Sequence, residues 1–342
     1  MVPALAVAAA LQAESPATRI VFVGGERAER DLVPAAGHEL RTLAVEGLSR
    51  TNPLRALRAG FKAVGACFAS WRLLGELRPA AVMGGGGYVA GPVGLAAVLR
   101  RIPLVLTEAD SHLGLTNRLL AHVARRVCLA FPLAARDGGR YLVTGRPVPP
   151  PATDRAAARA RFGVTGDEPL LLVFGGSLGA RSINEAAFDA FAQAAPCRVL
   201  HVTGTRDHEA LAALPHGPHY DVRPYLSGFG EALAAADLTV ARSGGSVFEI
   251  AAAGLPAILV PYPHAAGDHQ AGNAAWMARG GAAIVIADAD LTGERLVHAV
   301  GALLGDPARL RAMAQASAAL ARPDAAAVIA REVLQAAGGA RG

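Results

Sequence analysis

Two glycine-rich turns, each followed by a helix pattern, are the residues of this sequence best suited to bind an anion. The first turn, in LLLVFGGSLGARSINEAAFDAF, carries Gly175, Gly176, Ser177 and Gly179. Glycines let backbone N–H groups approach an anion, and the N-terminus of a helix adds a favourable dipole. The turn is not GxGxxG and no Walker lysine follows it, which argues against a dinucleotide site and a phosphate-loop ATPase. It predicts a diphosphate site, although a purely structural turn would use the same glycines.

The second turn lies in VARSGGSVFEIAAAGLPAILVPYP and carries Gly244, Gly245 and Ser246. Glu249 falls in the first turn of the helix pattern that follows. A carboxylate there is favoured by the helix dipole, so a capping role is the simplest interpretation. Paired with the first turn, however, the same carboxylate can accept both hydroxyls of a ribose whose diphosphate lies on the glycines. The two turns together predict a nucleoside diphosphate site.

A third polar cluster follows a strand pattern in PHAAGDHQAGNAAWM. Within ten residues it holds His264, Asp268, His269, Gln270 and Asn273. Histidine and aspartate at this spacing can bind a metal ion, but a third ligand is missing and the amides favour hydrogen bonds to sugar hydroxyls. A solvated helix start is the remaining alternative. The cluster predicts sugar contacts and no metal site.

The DAD sequence at 288–290 imitates the metal-binding DxD motif of some glycosyltransferases. It ends a strand pattern and precedes LTGERL, so helix capping is the better prediction for its aspartates.

The first half of the chain carries its own glycine run, Gly84–Gly87, in MGGGGYVAGP. Four consecutive glycines cost chain entropy on folding, which indicates that a ligand approaches the backbone closely there, and a second phosphate group fits. The next strand pattern ends in TEADSHLGLTNRLL, which offers the polar residues Glu108, Asp110, His112 and Asn117.

Strand and helix patterns alternate along both halves, and this order predicts two doubly wound parallel sheets. Between them, GRPVPPPATD has prolines at four of five positions, 147 and 149–151, which favours a stiff extended linker. The predicted organisation is an N-terminal domain over 1–145, a linker over 146–155 and a C-terminal domain over 156–342. The last helix, about 324–337, is a candidate to pack back on the N-terminal domain.

Composition narrows the class of protein further. Hydrophobic residues make up 52% of the 342 positions and charged residues 18%, which excludes a disordered chain. The three cysteines are isolated from one another, so neither a disulfide framework nor a CxxC metal site is predicted and a reducing cytoplasm fits best.

Charge is unevenly distributed along the chain. Residues 1–145 hold 17 Arg and Lys against 10 Asp and Glu, whereas 146–342 hold 16 against 18. The basic first half suits an anionic surface, although biased arginine usage could produce the same asymmetry. The helix pattern at 53–77 mixes basic and aromatic residues, which is typical either of contact with an anionic bilayer or of a core stripe with a solvated rim.

The chain resembles the MurG family of N-acetylglucosaminyltransferases. Five motifs carry the resemblance, in this order along the chain: MGGGGYVAGP, TEADSHLGLTN, VFGGSLGARSIN, ARSGGSVFEIAAAGLPAILVPYP and DHQAGNA. The resemblance implies a GT-B fold, two Rossmann-like domains with a cleft between them, and peripheral association with the cytoplasmic face of the bacterial membrane. It implies inverting transfer of N-acetylglucosamine from UDP-GlcNAc to the C4 hydroxyl of lipid I, which gives lipid II. No cofactor, no metal and no nucleic-acid partner are implied.

The resemblance also assigns residues. The residues implied to bind UDP-GlcNAc are Asp110, Gly176, Ser177, Leu226, Gly245, Ser246, Glu249, His269, Gln270 and Asn273. Those implied to face the acceptor are Gly85, Gly86, Tyr88 and Asn117, and the candidates for the general base are Glu108 and Asp110.

The chain departs from the family pattern in several places. Thr107, Ala109 and Asp110 replace residues of a His-Glu-Gln-Asn motif, Pro149 replaces an arginine and Leu178 a glutamine. Family members begin with a strand and a Gly-Gly-Thr-Gly-Gly-His loop, and Met1 stands just after the position of that histidine. The first strand of the N-terminal sheet is therefore expected to be missing, which a misassigned start codon would explain. The alternatives are a truncated or inactive UDP-sugar-binding homologue and a GT-B glycosyltransferase with another acceptor.

Overall fold

The computed structural model describes residues 1–25, 29–43 and 53–339, without the side chains of 53–63 and Tyr88. The chain divides into two compact units. Unit 1 comprises Met1–Val148 together with the segment from Arg322 onward, and unit 2 comprises Pro149–Ala321. All ladders between the described strands are parallel, which confirms the predicted fold class.

Strands and helices alternate along the first part of unit 1. Its elements are α1 (Val2–Glu14), β1 (Val21–Gly24), α2 (Glu29–Ala35), β2 (Glu39–Thr42), α3 (Pro53–Leu77), β3 (Val82–Gly84), α4 (Gly87–Leu99), β4 (Leu104–Glu108), α5 (Leu115–Leu120), β5 (Arg126–Leu129) and β6 (Tyr141–Val143).

The same alternation continues through unit 2. Its elements are α6 (Arg155–Arg161), β7 (Leu170–Phe174), α7 (Arg181–Phe191), β8 (Arg198–Val202), α8 (His208–Ala212), β9 (Tyr220–Arg223), α9 (Phe229–Ala235), β10 (Leu238–Ala241), α10 (Val247–Ala252), β11 (Ala257–Leu259), α11 (His269–Arg279), β12 (Ala283–Val285), α12 (Gly293–Leu304) and α13 (Pro307–Leu320). The chain then returns to unit 1 with α14 (Ala325–Gly338).

Unit 1 contains two parallel sheets, β1-β2 and β3-β4-β5-β6. They share their cores: Val23 and Val82 belong to one hydrophobic cluster, and Ile20 and Met83 to another. Within the described ranges no ladder joins β1 to β3. The missing first strand stays a prediction.

Helix α14 covers one face of unit 1. Ile329 and Ala330 are buried with Val7 of α1 and with Val105 of β4. An ion pair between Arg126 Nε and Glu332 Oε2, 2.6 Å apart and mostly buried, fixes the helix to the start of β5. The last helix therefore belongs to the core of unit 1.

Unit 2 is built on one six-stranded sheet with the order β12-β11-β10-β7-β8-β9. This is the doubly wound order, in which the direction of winding reverses between β7 and β10. All five residues of β7 and all four of β10 are buried because helices cover both faces. Ligands of such sheets bind at the carboxyl ends of the strands beside the reversal, which places the unit's binding edge after Phe174 and Ala241.

No helix in the described part of the chain is both long and apolar enough to cross a membrane.

Strand β2 has no sequence signal, because Glu39 and Arg41 break its apolar pattern. The two side chains pair with each other at 2.8 Å on the surface of the strand.

Candidate active site

The two glycine turns of unit 2 lie side by side. Strands β7 and β10 pair in register, with Val173 opposite Val240 and Phe174 opposite Ala241. The segment after each strand therefore leaves the same edge of the sheet, at the reversal of winding order. Helix α7 begins after the first turn and α10 after the second, so two helix N-termini point to this edge.

The first turn is shaped by backbone conformations that favour glycine. Gly176 and Gly179 have φ angles of +102° and +79°, and the N–H of Gly179 donates to the carbonyl of Gly176 at 3.0 Å. A Cβ on Gly179 would collide with the carbonyl oxygen of Thr203, and one on Gly204 with the backbone of Gly179. The turn thus rests directly on the backbone that follows β8.

A buried polar chain fixes helix α7 against the same backbone. Asn184 Nδ2 donates to the carbonyl of Thr203 at 2.9 Å and to Asp207 at 3.1 Å, so its Oδ1 is left to accept from His201 Nε2 at 3.1 Å. His201 Nδ1 then accepts from the Tyr220 hydroxyl at 2.7 Å. Burial lowers the pKa of His201 to about 3, so the imidazole is neutral. Sequence patterns gave no signal for this chain of hydrogen bonds.

Glu249 lies where the sequence predicts, in the first turn of α10, and it lines a groove of about 360 Å³. The groove walls come from residues 149–152, from residues 228–231 and Leu233 at the start of α9, and from Ala252 and Ala253. No sequence pattern predicts these walls, although PYLSGF, residues 224–229, ends at Phe229 in the groove wall. Leu226 itself is 5% exposed, so its side chain belongs to the core.

The predicted sugar cluster divides into a buried and an exposed part. Asn273 is fully buried and donates from Nδ2 to the carbonyl of Ser243 at 3.0 Å. Its Oδ1 has no hydrogen-bond partner within the described residues. The Gln270 carbonyl accepts from Ser243 Oγ at 2.7 Å, while Gln270 Oε1 accepts from Tyr262 N at 3.0 Å. His269 is half-buried at the start of α11.

These contacts tie α11 to the segment just before the second glycine turn. Among the residues that the structure describes, no three histidine, cysteine or acidic side chains are grouped so as to hold a metal ion.

The prediction that the DAD aspartates cap a helix is wrong. Thr292 caps α12, with its side chain accepting from Arg295 N, and 288–290 form a short 3₁₀ turn. Asp288 Oδ1 instead accepts from Ser182 Oγ at 2.7 Å and from Arg242 Nη1 at 2.5 Å. The capping interpretation failed because Arg242 and Ser182, which are distant in sequence, satisfy the carboxylate first.

In unit 1, Glu108 is buried at the end of β4 and its carboxylate accepts four hydrogen bonds. Oε1 accepts from the backbone N–H groups of Ala109 and Asp110, at 3.0 and 3.3 Å. Oε2 accepts from Gly114 N at 2.9 Å and from Asn117 Nδ2 at 3.0 Å. Both oxygens are thus engaged in shaping the loop that carries half-buried Asp110.

The predicted acceptor residues meet at the adjacent strand end. Gly86 has a φ of +76°, and a Cβ there would lie 3.6 Å from Asn117 Nδ2. Asn117 Nδ2 also donates to the Thr107 carbonyl at 2.9 Å, while its buried Oδ1 has no partner in the described part of the chain. Gly85 lies beside Gly86 at the surface. The side chain of Tyr88 lies outside the described ones.

Comparison with known proteins supplies the family. The glycosyltransferase family 28 N-terminal domain matches residues 1–129 and the C-terminal domain matches 170–329. A protein from Moorella thermoacetica called UDP-N-acetylglucosamine--N-acetylmuramyl-(pentapeptide) pyrophosphoryl-undecaprenol N-acetylglucosamine transferase is 42% identical over 97% of this chain and 95% of its own. A protein of the same name from Salinibacter ruber is 41% identical over 97% of this chain and 92% of its own.

Solved structures agree. The crystal structure of MurG from Acinetobacter baumannii superposes with a TM-score of 0.79 and 30% identity, covering 98% of this chain and 95% of that one. The calicheamicin glycosyltransferase CalG4, with a TM-score of 0.70 and 22% identity over 98% of this chain and 94% of its own, shares the fold. The chain belongs to glycosyltransferase family 28 and, within it, to the MurG family of N-acetylglucosaminyltransferases.

Proposed function

We propose that this protein transfers N-acetylglucosamine from UDP-GlcNAc to the C4 hydroxyl of undecaprenyl-pyrophosphoryl-N-acetylmuramoyl-pentapeptide, converting lipid I to lipid II. The observation that carries the proposal is the placement of two glycine turns on β7 and β10, at the reversal of winding order, beside the groove that Glu249 lines. The names of its 41–42% identical relatives point to the same donor and acceptor.

In the proposed donor site, the N–H groups around Gly176, Ser177, Gly245 and Ser246 hold the diphosphate. Glu249 accepts the ribose hydroxyls at the edge of its groove, where the uracil would lie with the backbone of Leu226 nearby. The helix N-termini of α7 and α10 would stabilise the negative charge that develops on UDP as it leaves. No cofactor is part of the proposed step.

In the proposed site, residues of α11 contact the sugar of UDP-GlcNAc. Gln270 and His269 lie at or near the surface and can reach sugar hydroxyls, and Asp110 is a further candidate from unit 1. Asn273 is buried, so its role is to hold Ser243 and the turn behind it, with Oδ1 as one remaining acceptor.

The reaction is a direct displacement with inversion at the anomeric carbon. The acceptor oxygen forms the new bond, the bond to UDP breaks, and a base takes the hydroxyl proton. Of the two candidate bases, Asp110 suits the role better, because both oxygens of Glu108 already accept hydrogen bonds from the loop. Gly85, Gly86, Tyr88 and Asn117 would face the acceptor's diphosphate.

The donor assignment is tested by Glu249→Ala. Loss of charge-assisted hydrogen bonds to ribose should weaken UDP-GlcNAc binding about ten- to a hundredfold, measured by isothermal titration calorimetry. Glu294→Ala is the matched control, because Glu294 also lies in a helix first turn, that of α12, away from the groove. Unchanged affinity in Glu249→Ala would reject the ribose role.

We further propose that unit 1 docks peripherally on the cytoplasmic face of an anionic membrane, where the lipid acceptor resides. Large apolar side chains are exposed along its three neighbouring helices α3, α4 and α5: Val64, Phe68, Trp71, Leu95, Leu99, Leu115 and Leu119. Arg100 stacks on the Trp71 ring at 4.0 Å, which places a cation beside the apolar surface. This combination suits the interface of an anionic bilayer.

Vesicle sedimentation tests this surface. The wild-type protein should sediment with phosphatidylglycerol vesicles more than with phosphatidylcholine vesicles, and Leu99→Ser combined with Leu119→Ser should abolish most of the binding. The control pair, Leu214→Ser with Val297→Ser, removes two exposed apolar side chains from unit 2. Equal loss in both pairs would contradict a membrane surface confined to unit 1.

A further inference from the structure

Arg242 occupies the position between the two glycine turns. It follows β10 directly, and Ser243–Ser246 continue from it as the second turn. The residue is only 9% exposed, so its guanidinium is buried at the sheet edge where the diphosphate is expected. A buried arginine this close to an anion site could bind the anion itself or could hold the protein groups that do.

The guanidinium donates to four protein groups. Nη1 donates to the carbonyls of Val260 and Pro261, both at 3.2 Å, and to Asp288 Oδ1 at 2.5 Å. Nη2 donates to Ser182 Oγ at 2.9 Å. One side chain thus connects the end of β10, the first turn of α7 and the segment after β11.

Ser182 closes this arrangement into a ring. Its hydroxyl accepts from Arg242 Nη2 and donates to Asp288 Oδ1 at 2.7 Å, so the three side chains contact one another pairwise. We call Arg242, Ser182 and Asp288 the Arg242 brace. Because Ser182 lies in the first turn of α7, three residues after Gly179, the brace fixes the first glycine turn relative to the second.

The charge of Arg242 is compensated within the brace. The carboxylate of Asp288 is 22% exposed and the Arg242 side chain 11%, so the pair is shielded from water and its interaction is stronger than that of a surface ion pair. A cation held in this way contributes little field at the diphosphate. The guanidinium of Arg242 matters more for geometry than for its charge, because a planar guanidinium can hold several hydrogen-bond acceptors at fixed angles.

We propose that Arg242 is a positioning residue for the donor site: with Ser182 and Asp288 it sets the separation of the two glycine turns that hold the diphosphate of UDP-GlcNAc. The inference rests on the proposed donor site. It gives the first aspartate of the DAD sequence a role, which is to orient and neutralise Arg242.

The two possible roles of Arg242 predict opposite signs for Asp288→Asn. If Arg242 bound phosphate, removal of the neighbouring carboxylate would free a cation and strengthen UDP binding. With Arg242 as a positioning residue, the same substitution loosens the ring and leaves the guanidinium without its counter-charge, so UDP binding weakens about tenfold. Asp290→Asn removes the same charge two residues away, where the exposed carboxylate lies 3.9 Å from Arg295 Nη1, and it should not weaken binding.

A second variant separates positioning from general loss of stability. Ser182→Ala keeps the Arg242–Asp288 pair and disconnects only α7, so it should raise the Kd for UDP about fivefold with kcat little changed. Ser317→Ala is its control, because Ser317 is a buried serine on α13 of the same unit, and its hydroxyl donates to the Leu255 carbonyl at 3.0 Å. This control should lower the melting temperature and leave the Kd unchanged.

The measurements are isothermal titration of the full chain with UDP, steady-state kinetics with UDP-GlcNAc, and thermal melting. Weaker binding in Asp288→Asn and Ser182→Ala, with both controls binding like wild type, supports the positioning role. Equal or tighter binding in Asp288→Asn, or the same Kd in Ser182→Ala and Ser317→Ala, overturns it. A wild-type protein that binds UDP without transferring sugar would contradict only the proposed function, whereas one that binds no UDP would contradict both.

Discussion

The loop after β4 in unit 1 and the turn after β7 in unit 2 both present backbone at the carboxyl end of a parallel strand, but they are held by different means. In unit 1 a carboxylate holds the loop: Glu108 accepts hydrogen bonds from three backbone N–H groups and from the Asn117 side-chain amide. In unit 2 the turn lies directly on the backbone that follows β8, because Gly179 and Gly204 carry no Cβ, and the Asn184 side chain adds a hydrogen bond to the same Thr203 carbonyl.

The difference teaches where function can lie. In a loop held by a carboxylate, the backbone N–H groups donate to that carboxylate. Such a loop can therefore contact a substrate mainly through its side chains, such as that of Asp110. A turn held mainly by backbone contact needs no carboxylate to collect its N–H groups, so N–H groups such as those of Gly176 and Ser177 can face an anion. The proposed split of roles, a base in unit 1 and the donor's diphosphate in unit 2, is consistent with these two ways of shaping a strand end.

The largest expected effect breaks the unit 1 side of the comparison. Glu108→Ala removes the acceptor of four hydrogen bonds and should lower the free energy of unfolding of the protein by about 3 kcal/mol. Urea denaturation followed by tryptophan fluorescence or circular dichroism measures it. Glu76→Ala is the control in the same unit, because its pair with Arg72 is exposed and should contribute less than about 1 kcal/mol.

Asp110→Asn sharpens the same comparison. If Asp110 is the base and Glu108 the loop holder, Asp110→Asn should lower kcat about a hundredfold without changing the free energy of unfolding. Glu108→Ala should lower both. A stable Glu108→Ala protein with low kcat, beside an Asp110→Asn protein of normal kcat, would reverse the assignment.

Gly179→Ala breaks the unit 2 side. The new Cβ would meet the Thr203 carbonyl at a φ of +79°, so the turn must shift away from β8. We expect a loss of about 2 kcal/mol in the free energy of unfolding and UDP binding weakened at least about tenfold. Thermal melting and calorimetric titration with UDP report the two effects.

Gly166→Ala is the matched control for this substitution. Its φ of +55° is also in the left-handed region, but a Cβ there has nothing within 4 Å. It should cost about 1 kcal/mol of stability and leave UDP affinity as it is. If Gly179→Ala behaves no worse than Gly166→Ala, the turn is not seated on the backbone after β8.

The fold class and the glycine turns were predictable because they depend on local patterns. Buried strands such as LLLVF have no polar interruption, and a glycine turn between strand and helix is a short-range signal. Likewise the helix predicted at 53–77 is confirmed as α3. Strand β2 was not predicted, because its charged residues Glu39 and Arg41 pair with each other on the surface and its sequence shows no apolar face.

Contacts between residues distant in sequence could not be predicted. Asp288 reads as a capping aspartate until the structure brings it to Ser182 and Arg242, which lie 106 and 46 residues away along the chain. Asn184 and His201 give no motif either, since a lone histidine inside RVLHV suggests only a strand. Such polar pairs are set by the sheet order, which the sequence leaves open.

His201 supplies the smallest expected effect, which sharpens how the unit 2 turn is backed. The unfolded chain binds a proton on this imidazole near pH 6.5, whereas the folded protein binds one only near pH 3. Between these values the unfolded state holds more protons, so the free energy of unfolding falls as the pH falls, by up to about 1.4 kcal/mol per pH unit. From pH 7 to pH 5 this group should cost about 2 kcal/mol.

His201→Gln keeps one donor and one acceptor between Asn184 and Tyr220 but cannot titrate. Urea denaturation at pH 7 and pH 5 should therefore give this variant a pH dependence about 2 kcal/mol smaller than that of the wild type, even if it is less stable at pH 7. His298→Gln, on the exposed side of α12, should keep the wild-type dependence. An unchanged pH dependence in His201→Gln would mean that the imidazole is hydrated or charged in the folded protein. A protonated ring has no acceptor for the Tyr220 hydroxyl. The hydrogen bonds from Asn184 through His201 to Tyr220 would then be interrupted, and helix α7 would be held less firmly behind the first glycine turn.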